Sequence, residues 1–414
     1  MLTNYLKVAV KVLLRRKFYT AVNLFGIAFT LLILIVCAAL MDNTLAPGTP
    51  EVRLGRILTI ESAGMDGPDF MSRSNAGYRL LDSHARDLPG AELFSISSTT
   101  RTVTSFVDGR KIESAMRRAD GEFWEIMEFD FVEGGPFGRV DEREGNFVAV
   151  INEVTRQRFF DEAPGLGRTF RADGQAFTVV GVVRDVPFTR RLTFADVWVP
   201  ISTAKSTDYR KELLGDFQGV ILARGRGDFP AIKAEFKRRL TTVQLPDPEN
   251  YDTITSSART RFEELAAEVG GNSHVDEAPT GRLVLMIAML TAAFMLLPAL
   301  NLINLSLSRI LERSSEIGVR KAFGASSWTL IGQFLVENIV LTLVGGVLGF
   351  VLSLAVVRAI SASGLIPYAD LQVSARVFLA GFGLSLLFAM FSGAYPAWRM
   401  SRLHPVEALH GRAR

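Results

Sequence analysis

Apolar residues crowd both ends of this 414-residue chain and thin out in its middle. A bilayer core about 30 Å thick takes roughly 20 mostly apolar helical residues to cross. Four stretches reach that length: 18–41, 283–307, 329–358 and 377–398. Charge is nearly absent from them, as a helix facing lipid requires. Glu337 is the exception and falls near the start of the third stretch, where an interface can keep it hydrated. Pro298 predicts a bend in the second.

The middle, 42–280, carries mixed charge, frequent Gly and short alternating runs, the pattern of a folded α+β domain. Arg56–Glu61 predicts a strand, followed by a helix over Asn75–Leu88 that Pro89 and Gly90 close. A matching pair comes later: a strand at Gly219–Ala223, then a helix capped by Asp228 with Phe229, Ile232, Phe236 and Leu240 on one face. These two units, 50–104 and 206–265, flank an insertion over 105–205. The insertion reads as mostly β, with strands at Phe147–Ile151, Thr169–Arg171 and Phe177–Val183 and a turn at Asp173-Gly174. Asn152 before Glu153, with Val154, Phe159 and Phe160 behind it, predicts a short helix between strands. The expected fold class is an α+β membrane protein, four transmembrane helices with a large α/β domain between the first and second.

Charge supplies the orientation. Lys7, Lys11, Arg15, Arg16 and Lys17 precede the first stretch, Arg309, Arg313, Arg320 and Lys321 lie between the second and third, and Arg399, Arg402, Arg412 and Arg414 follow the fourth. Basic residues mark the cytoplasmic side. Segments 1–17, 308–328 and 399–414 are therefore expected in the cytosol of a bacterial inner membrane, with 42–280 and the short loop 359–376 outside. The first stretch is longer than the roughly 7–15 apolar residues of a signal peptide, so an uncleaved anchor is expected. A net charge of +3 and a pI near 9.0 come without a basic run interleaved with aromatics, which argues against a nucleic-acid partner. Cys37 is the one cysteine, so the chain forms no internal disulfide and no cysteine metal cluster.

The usual catalytic patterns are missing. The sequence holds no GxxxxGK[ST], GxSxG or HExxH, and His84, His274, His404 and His410 are scattered. Ser202-Thr203-Ala204-Lys205 fits SxxK but lacks the companion elements of acyl-transfer enzymes. Asp66 with Asp69, and Asp141 with Glu142 and Glu144, read as exposed turns. The chain is expected to be non-catalytic, without a metal or a cofactor of its own. Asn301 and Asn304 in the second stretch read as polar helix-packing residues, and Gly345 and Gly349 form a GxxxG pair that lets helices approach closely.

The densest signal lies between the second and third stretches. In Ser308–Ser327, Glu316 and Arg320 stand four apart in the order that favours a helical salt bridge, while Ile317, Ala322 and Phe323 offer an apolar strip to a partner. A short amphipathic helix along the membrane fits this spacing. The run from Glu316 to Ala325 (EIGVRKAFGA), then QFLVE at 333–337, GGVLG at 345–349, YPAWR at 395–399 and PVEAL at 405–409 resemble, in order, the motifs of the MacB/FtsX superfamily of ABC transporter permeases. The opening from Asn4 to Gly26, and VVGVVRD at 179–185 with WVP at 198–200, resemble it too. The likeness is strongest to the macrolide-export, MacB-like branch.

That resemblance implies a coupling element that docks on a cytosolic ATPase, with Glu316, Ile317, Gly318, Arg320, Lys321 and Arg399 in the contact. It also implies a dimer with a second permease copy or homologue, two ATPase subunits that bind the ATP and magnesium, and further candidate partners in a periplasmic adaptor and an outer-membrane channel. The outer domain would divide into a split porter-like part and an inserted sabre-like part, moved by mechanotransmission for efflux. The chain starts at the first helix and has no phosphate loop, so the ATPase is expected on a separate subunit. His404 stands where the family commonly has an acid, so contact with the ATPase is not assigned at that position. An FtsX-like regulator of a cell-wall hydrolase and a LolC/LolE-like lipoprotein-releasing permease stay open as alternatives. The residues do not point to a transported substrate.

Overall fold

The structure is a computed structural model and describes residues 11–271, 278–312 and 327–401, apart from positions 12, 16, 108, 369, 370 and 372. It divides into two compact units: a helical unit of 1–43, 285–365 and 371–414, and a sheet unit of 44–284 with 366–370.

In the helical unit the described elements are α1 (Lys17–Leu45) and, after the sheet unit, three long helices over Thr280–Glu312, Ser327–Ser363 and Ala375–Ser401. Lys17–Leu45, Thr280–Asn301 and Leu335–Ser363 are long and apolar enough to cross a membrane. The fourth expected span appears as the shorter apolar helix Ala375–Phe391. Ile27, Leu31 and Ile35 of α1 pack with Met295, Leu341 and Ala389 into one core. Their spacing of four puts them on one stripe of the helix, and Asn23, Ala28, Thr30 and Ala39 are buried beside it.

The sheet unit begins with β1 (Ile57–Ile60), β2 (Ser62–Asp66), β3 (Met71–Ala76), α2 (Tyr78–His84), β4 (Ala91–Ser98), β5 (Arg101–Val107) and β6 (Arg110–Ala119). Next come α3 (Glu122–Ile126), β7 (Phe131–Gly134), α4 (Arg139–Glu144), β8 (Val148–Asn152), α5 (Glu153–Phe160), β9 (Thr169–Ala172), β10 (Gln175–Val183) and β11 (Val197–Pro200). It ends with β12 (Leu214–Gly215), β13 (Phe217–Ala223), α6 (Phe229–Leu240), β14 (Thr253–Ser256) and α7 (Arg261–Val269). The long helices that follow are α8 (Thr280–Glu312), α9 (Ser327–Ser363) and α10 (Ala375–Ser401).

All fourteen strands belong to one sheet, ordered β14-β2-β3-β13-β4-β6-β11-β8-β10-β7, with β1, β12, β5 and β9 paired beside that path. Every residue of β13 is buried, which explains its near-continuous apolar run. Asn152 caps α5 by accepting from the Thr155 N–H, and Asp173-Gly174 turns β9 into β10 with both φ angles positive (51° and 75°). In α6, Ile232, Phe236 and Leu240 face the core at spacing four, and a proline sits in the first turn.

Two expectations change. The helix over Asn75–Leu88 is confined to Tyr78–His84, because Asn75 and Ala76 are taken into β3, opposite Ser62 and Leu214 or Gly215. Asp228 stands before α6 with helical backbone angles and makes no side-chain cap. The insertion has a core of its own around Phe159, Phe170 and Phe177. A middle core joins Phe123, Val150 and Trp198 from 105–205 to Leu54, Ile57, Val220 and Leu222 from outside it, so the two parts share an interior.

Candidate functional site

The GxxxG pair lies against α1. A Cβ on Gly345 would stand 2.8 Å from Ile27 Cγ2, and one on Gly349 would stand 2.9 Å from the Ala28 carbonyl oxygen and 3.0 Å from Leu31 Cβ. At Gly349, which meets backbone, only hydrogen fits without the helices moving apart, whereas at Gly345 the Ile27 side chain would have to give way. Gly346 faces another way, and its Cβ would meet the Phe382 ring. Next along α9, Glu337 and Asn338 are both buried, whereas Asn301 and Asn304 on α8 are exposed within a single chain. Glu316, Ile317, Gly318, Arg320 and Lys321 lie outside the described residues, as do His404 and most of the basic tail. Arg399 is in α10, and its side chain is not among those described.

The sheet unit has a narrow waist. β4 and β6 pair only at Ser97 opposite Ala119, so one rung joins the two halves of the main path. Buried polar groups reinforce it. Asp120, one residue past that rung, accepts from Ser95 Oγ at 2.7 Å, the Ile96 N–H at 2.6 Å and the Phe123 N–H at 3.0 Å. Burial raises its carboxyl to about 8, against the pull of the hydrogen bonds from Ile96 and Ser95. Arg117, 2% exposed, donates to Ser98 O at 2.9 Å and Ser97 Oγ at 3.3 Å on β4, and across the waist to Arg191 O at 2.7 Å and Phe194 O at 3.3 Å. Desolvation lowers its guanidinium to about 10. Gln218 on β13 adds bonds to Ser97 Oγ at 3.1 Å and Leu192 O at 3.3 Å.

The far side of these bonds is one loop, 187–196, and other partners converge on it. Arg190 pairs with Glu51 at 3.4 Å and donates to Ala46 O at 3.3 Å, both on the chain that has just left α1. Thr193 Oγ1 donates to the same Glu51 carboxylate at 2.9 Å. Arg191 pairs at 2.5 Å with Glu268 in α7, which precedes α8. The Phe188 N–H donates to Pro367 O at 3.1 Å, and Tyr368 Oη–H donates to Asp196 Oδ1 at 2.7 Å. Pro367 and Tyr368 belong to the connection between α9 and α10. Asp196 is held in turn by Asn152 Nδ2 at 3.1 Å and the Ala115 N–H at 2.7 Å. Burial and the Asp196 carboxylate push the Tyr368 phenol above its ordinary range, so it stays protonated and donating. The sequence showed only the flanks of this loop, VVGVVRD and WVP. A loop gives no periodic pattern, and its partners are 5 to about 180 residues away in the chain.

The candidates for chemistry have structural partners. Lys205 of the SxxK match is 2.7 Å from Asp173 Oδ1, and Asp66 pairs with Arg73. Asp141 accepts from the Gly138 N–H and Glu142 from the Gly121 N–H, both as loop fasteners. A cleft of about 480 Å³ opens beside Lys205, lined by Arg101, Arg118, Asp173, Tyr209 and Phe217, and its basic groups pair with Asp173 or Asp216.

Residues 20–261 match the family described as MacB-like periplasmic core domain, and residues 288–405 match FtsX-like permease C-terminal. The chain belongs to the MacB/FtsX-type permeases of ABC transporters. Within that class it is a multi-pass membrane protein that carries the MacB-like core ahead of the FtsX-like helices. It is 26% identical over 314 residues to the uncharacterized ABC transporter permease YknZ of Bacillus subtilis, covering 76% of this chain and 74% of YknZ. It is 28% identical over 347 residues to the macrolide export ATP-binding/permease protein MacB of Burkholderia thailandensis, covering 82% of this chain and 50% of MacB. The chain thus spans about half the length of that MacB. Among solved structures, the extracellular domain of YknZ aligns at 14% identity over 48% of this chain and 98% of that one, with a TM-score of 0.37. The periplasmic region of MacB from Actinobacillus actinomycetemcomitans aligns at 15% identity over 45% and 85%, with a TM-score of 0.34.

Proposed function

We propose that this chain is the membrane subunit of an ABC exporter that works by mechanotransmission, taking its ATP hydrolysis from a separate cytosolic ATPase. The observation that carries the reading is the placement of the sheet unit between two helices long enough to cross a membrane, α1 and α8. A domain joined to the membrane at both of its ends is displaced when those helices move, and it needs no chemistry of its own. The match to FtsX-like permease C-terminal covers Glu316 to Lys321 and Arg399 and supports their role in gripping the ATPase.

In this reading four helices cross the inner membrane, both termini and 308–328 are cytosolic, and 42–280 is periplasmic. The exposed amides Asn301 and Asn304 favour a second permease copy as their neighbour, because an unpaired amide facing lipid is costly. Export follows the name of the MacB relatives; the substrate is not carried over from them.

The test is co-expression with a candidate ABC ATPase subunit from the same genome, then purification of the complex in lipid. Glu316→Arg should abolish ATPase capture, or its stimulation by the permease, and leave the sheet unit folded by circular dichroism. Full capture and stimulation by the reversed charge would refute the coupling assignment. A peptidoglycan hydrolase in the purified complex, in place of an adaptor, would move the chain to the FtsX-like class.

A further inference from the structure

Among the described residues, the loop 187–196 binds three stretches of the sheet unit from which the chain runs on to long helices. Arg190 and Thr193 hold Glu51, six residues past the end of α1. Arg191 holds Glu268, in the helix before α8. Phe188 and Asp196 hold Pro367 and Tyr368, between α9 and α10. These contacts lie within the sheet unit, which includes 366–370 although the helices on either side belong to the other unit. Tyr368 takes a left-handed backbone (φ 54°) that a bulky residue adopts only when its surroundings hold it there.

The loop is built to be stiff. Most of it is buried, Phe194 and Thr193 bond back to Arg190 O, and Trp198 Nε1 donates to Thr193 O at 3.2 Å. Its outlet is equally defined, because Arg117 takes Arg191 O and Phe194 O on one side and Ser97 and Ser98 on the other, at the single rung of the waist. We propose that loop 187–196 is a collector: it gathers the displacement of all three membrane connections and delivers it through Arg117 to the waist of the sheet. This goes beyond the reading above, since it concerns how the domain is held to its helices whatever drives them. The large domain is then fastened at three points, and the connection between α9 and α10 is one of them.

Hydrogen exchange on the full chain in lipid nanodiscs, with no ATPase present, tests this. Glu51→Gln, Glu268→Gln and Tyr368→Phe each weaken one fastening by its charge-assisted bond without removing bulk. Each should raise exchange about tenfold, the scale of a lost hydrogen bond to a charged group, in loop 187–196 and also at 95–98, on the far side of Arg117. Exchange in β2 and β3 should not change. Pairs of cuts should give less than the product of the single effects, because all act through one element. In Arg117→Met the loop and Ala115, which Asp196 holds directly, should still respond to Tyr368→Phe, but the response at 95–98, beyond the waist, should shrink several-fold. Effects that stay at each cut and multiply independently would overturn the proposal, as would an undiminished response at 95–98 in Arg117→Met. No ATPase takes part, so a negative result strikes the collector alone and leaves the ATP-driven reading to its own test.

Discussion

The two units hold themselves together by different means. Beside its apolar cores the sheet unit buries ionisable groups held by hydrogen bonds, namely Arg117, Asp120 and the pairs Arg190–Glu51 and Arg259–Glu264. The helical unit has an apolar core and glycines at the α1–α9 contact. Water explains the difference. A sheet unit folding in water can recover the cost of burying a charge through several well-aimed hydrogen bonds, and each bond then fixes a direction. Helices in lipid gain nothing by hiding apolar surface, so closeness of fit is what they have left. In the proposed mechanism, directional bonds suit a part that moves as one piece, and smooth contacts suit helices that slide or tilt.

The comparison is tested most severely at Arg117. Arg117→Met fills similar space but strands Ser98 O, Arg191 O and Phe194 O, and should cost about 3 kcal/mol. Thermal unfolding followed by the fluorescence of Trp124 and Trp198, both packed in the middle core, reads it directly. A loss below about 1 kcal/mol would mean that the waist does not depend on its polar bonds.

In the helical unit the corresponding test is steric. Gly349→Val meets the α1 backbone at Ala28 and should cost about 2 kcal/mol. Gly345→Ala meets an isoleucine side chain that can yield, so it should cost less. Equal effects at the two glycines, measured by thermal unfolding in detergent, would show that the α1–α9 contact is looser than described.

The smallest effect per step is the pH dependence at Asp120. Its carboxyl ionises at about 8 in the fold and near 3.8 unfolded, so the folded state holds the extra proton between those values. Stability must then fall as pH rises from about 4 to about 8, by up to about 1.4 kcal/mol per pH unit from this group. Glu264, raised to about 7 chiefly by burial, adds in the same direction. Asp120→Asn should reduce the slope of denaturation midpoint against pH, even where it lowers stability overall. An unchanged slope would place the buried proton elsewhere.

Much of this architecture was readable before any coordinates, for physical reasons. Membrane stretches announce themselves because lipid permits no polar interruption for about 20 residues. Asn152 and Asp173-Gly174 were readable because their side-chain and backbone requirements are local. β2 and β3 were not, since Ser62–Asp66 and Met71–Ala76 are polar and become strands only through each other and β14. The continuous sheet and loop 187–196 were hidden for a related reason. Their cause is pairing between distant residues, such as Arg190 with Glu51 and Asp196 with Tyr368, and such pairing leaves no mark in either segment alone.

The central claim is that ATP hydrolysed in the cytosol moves the periplasmic domain through this chain. Hydrogen exchange of the permease–ATPase complex in nanodiscs, with and without ATP and vanadate, measures it most directly. The account predicts nucleotide-dependent changes at 187–196 and at the β4–β6 waist, both lost in Glu316→Arg. Changes confined to the ATPase and to 308–328, with the sheet unit silent, would contradict it.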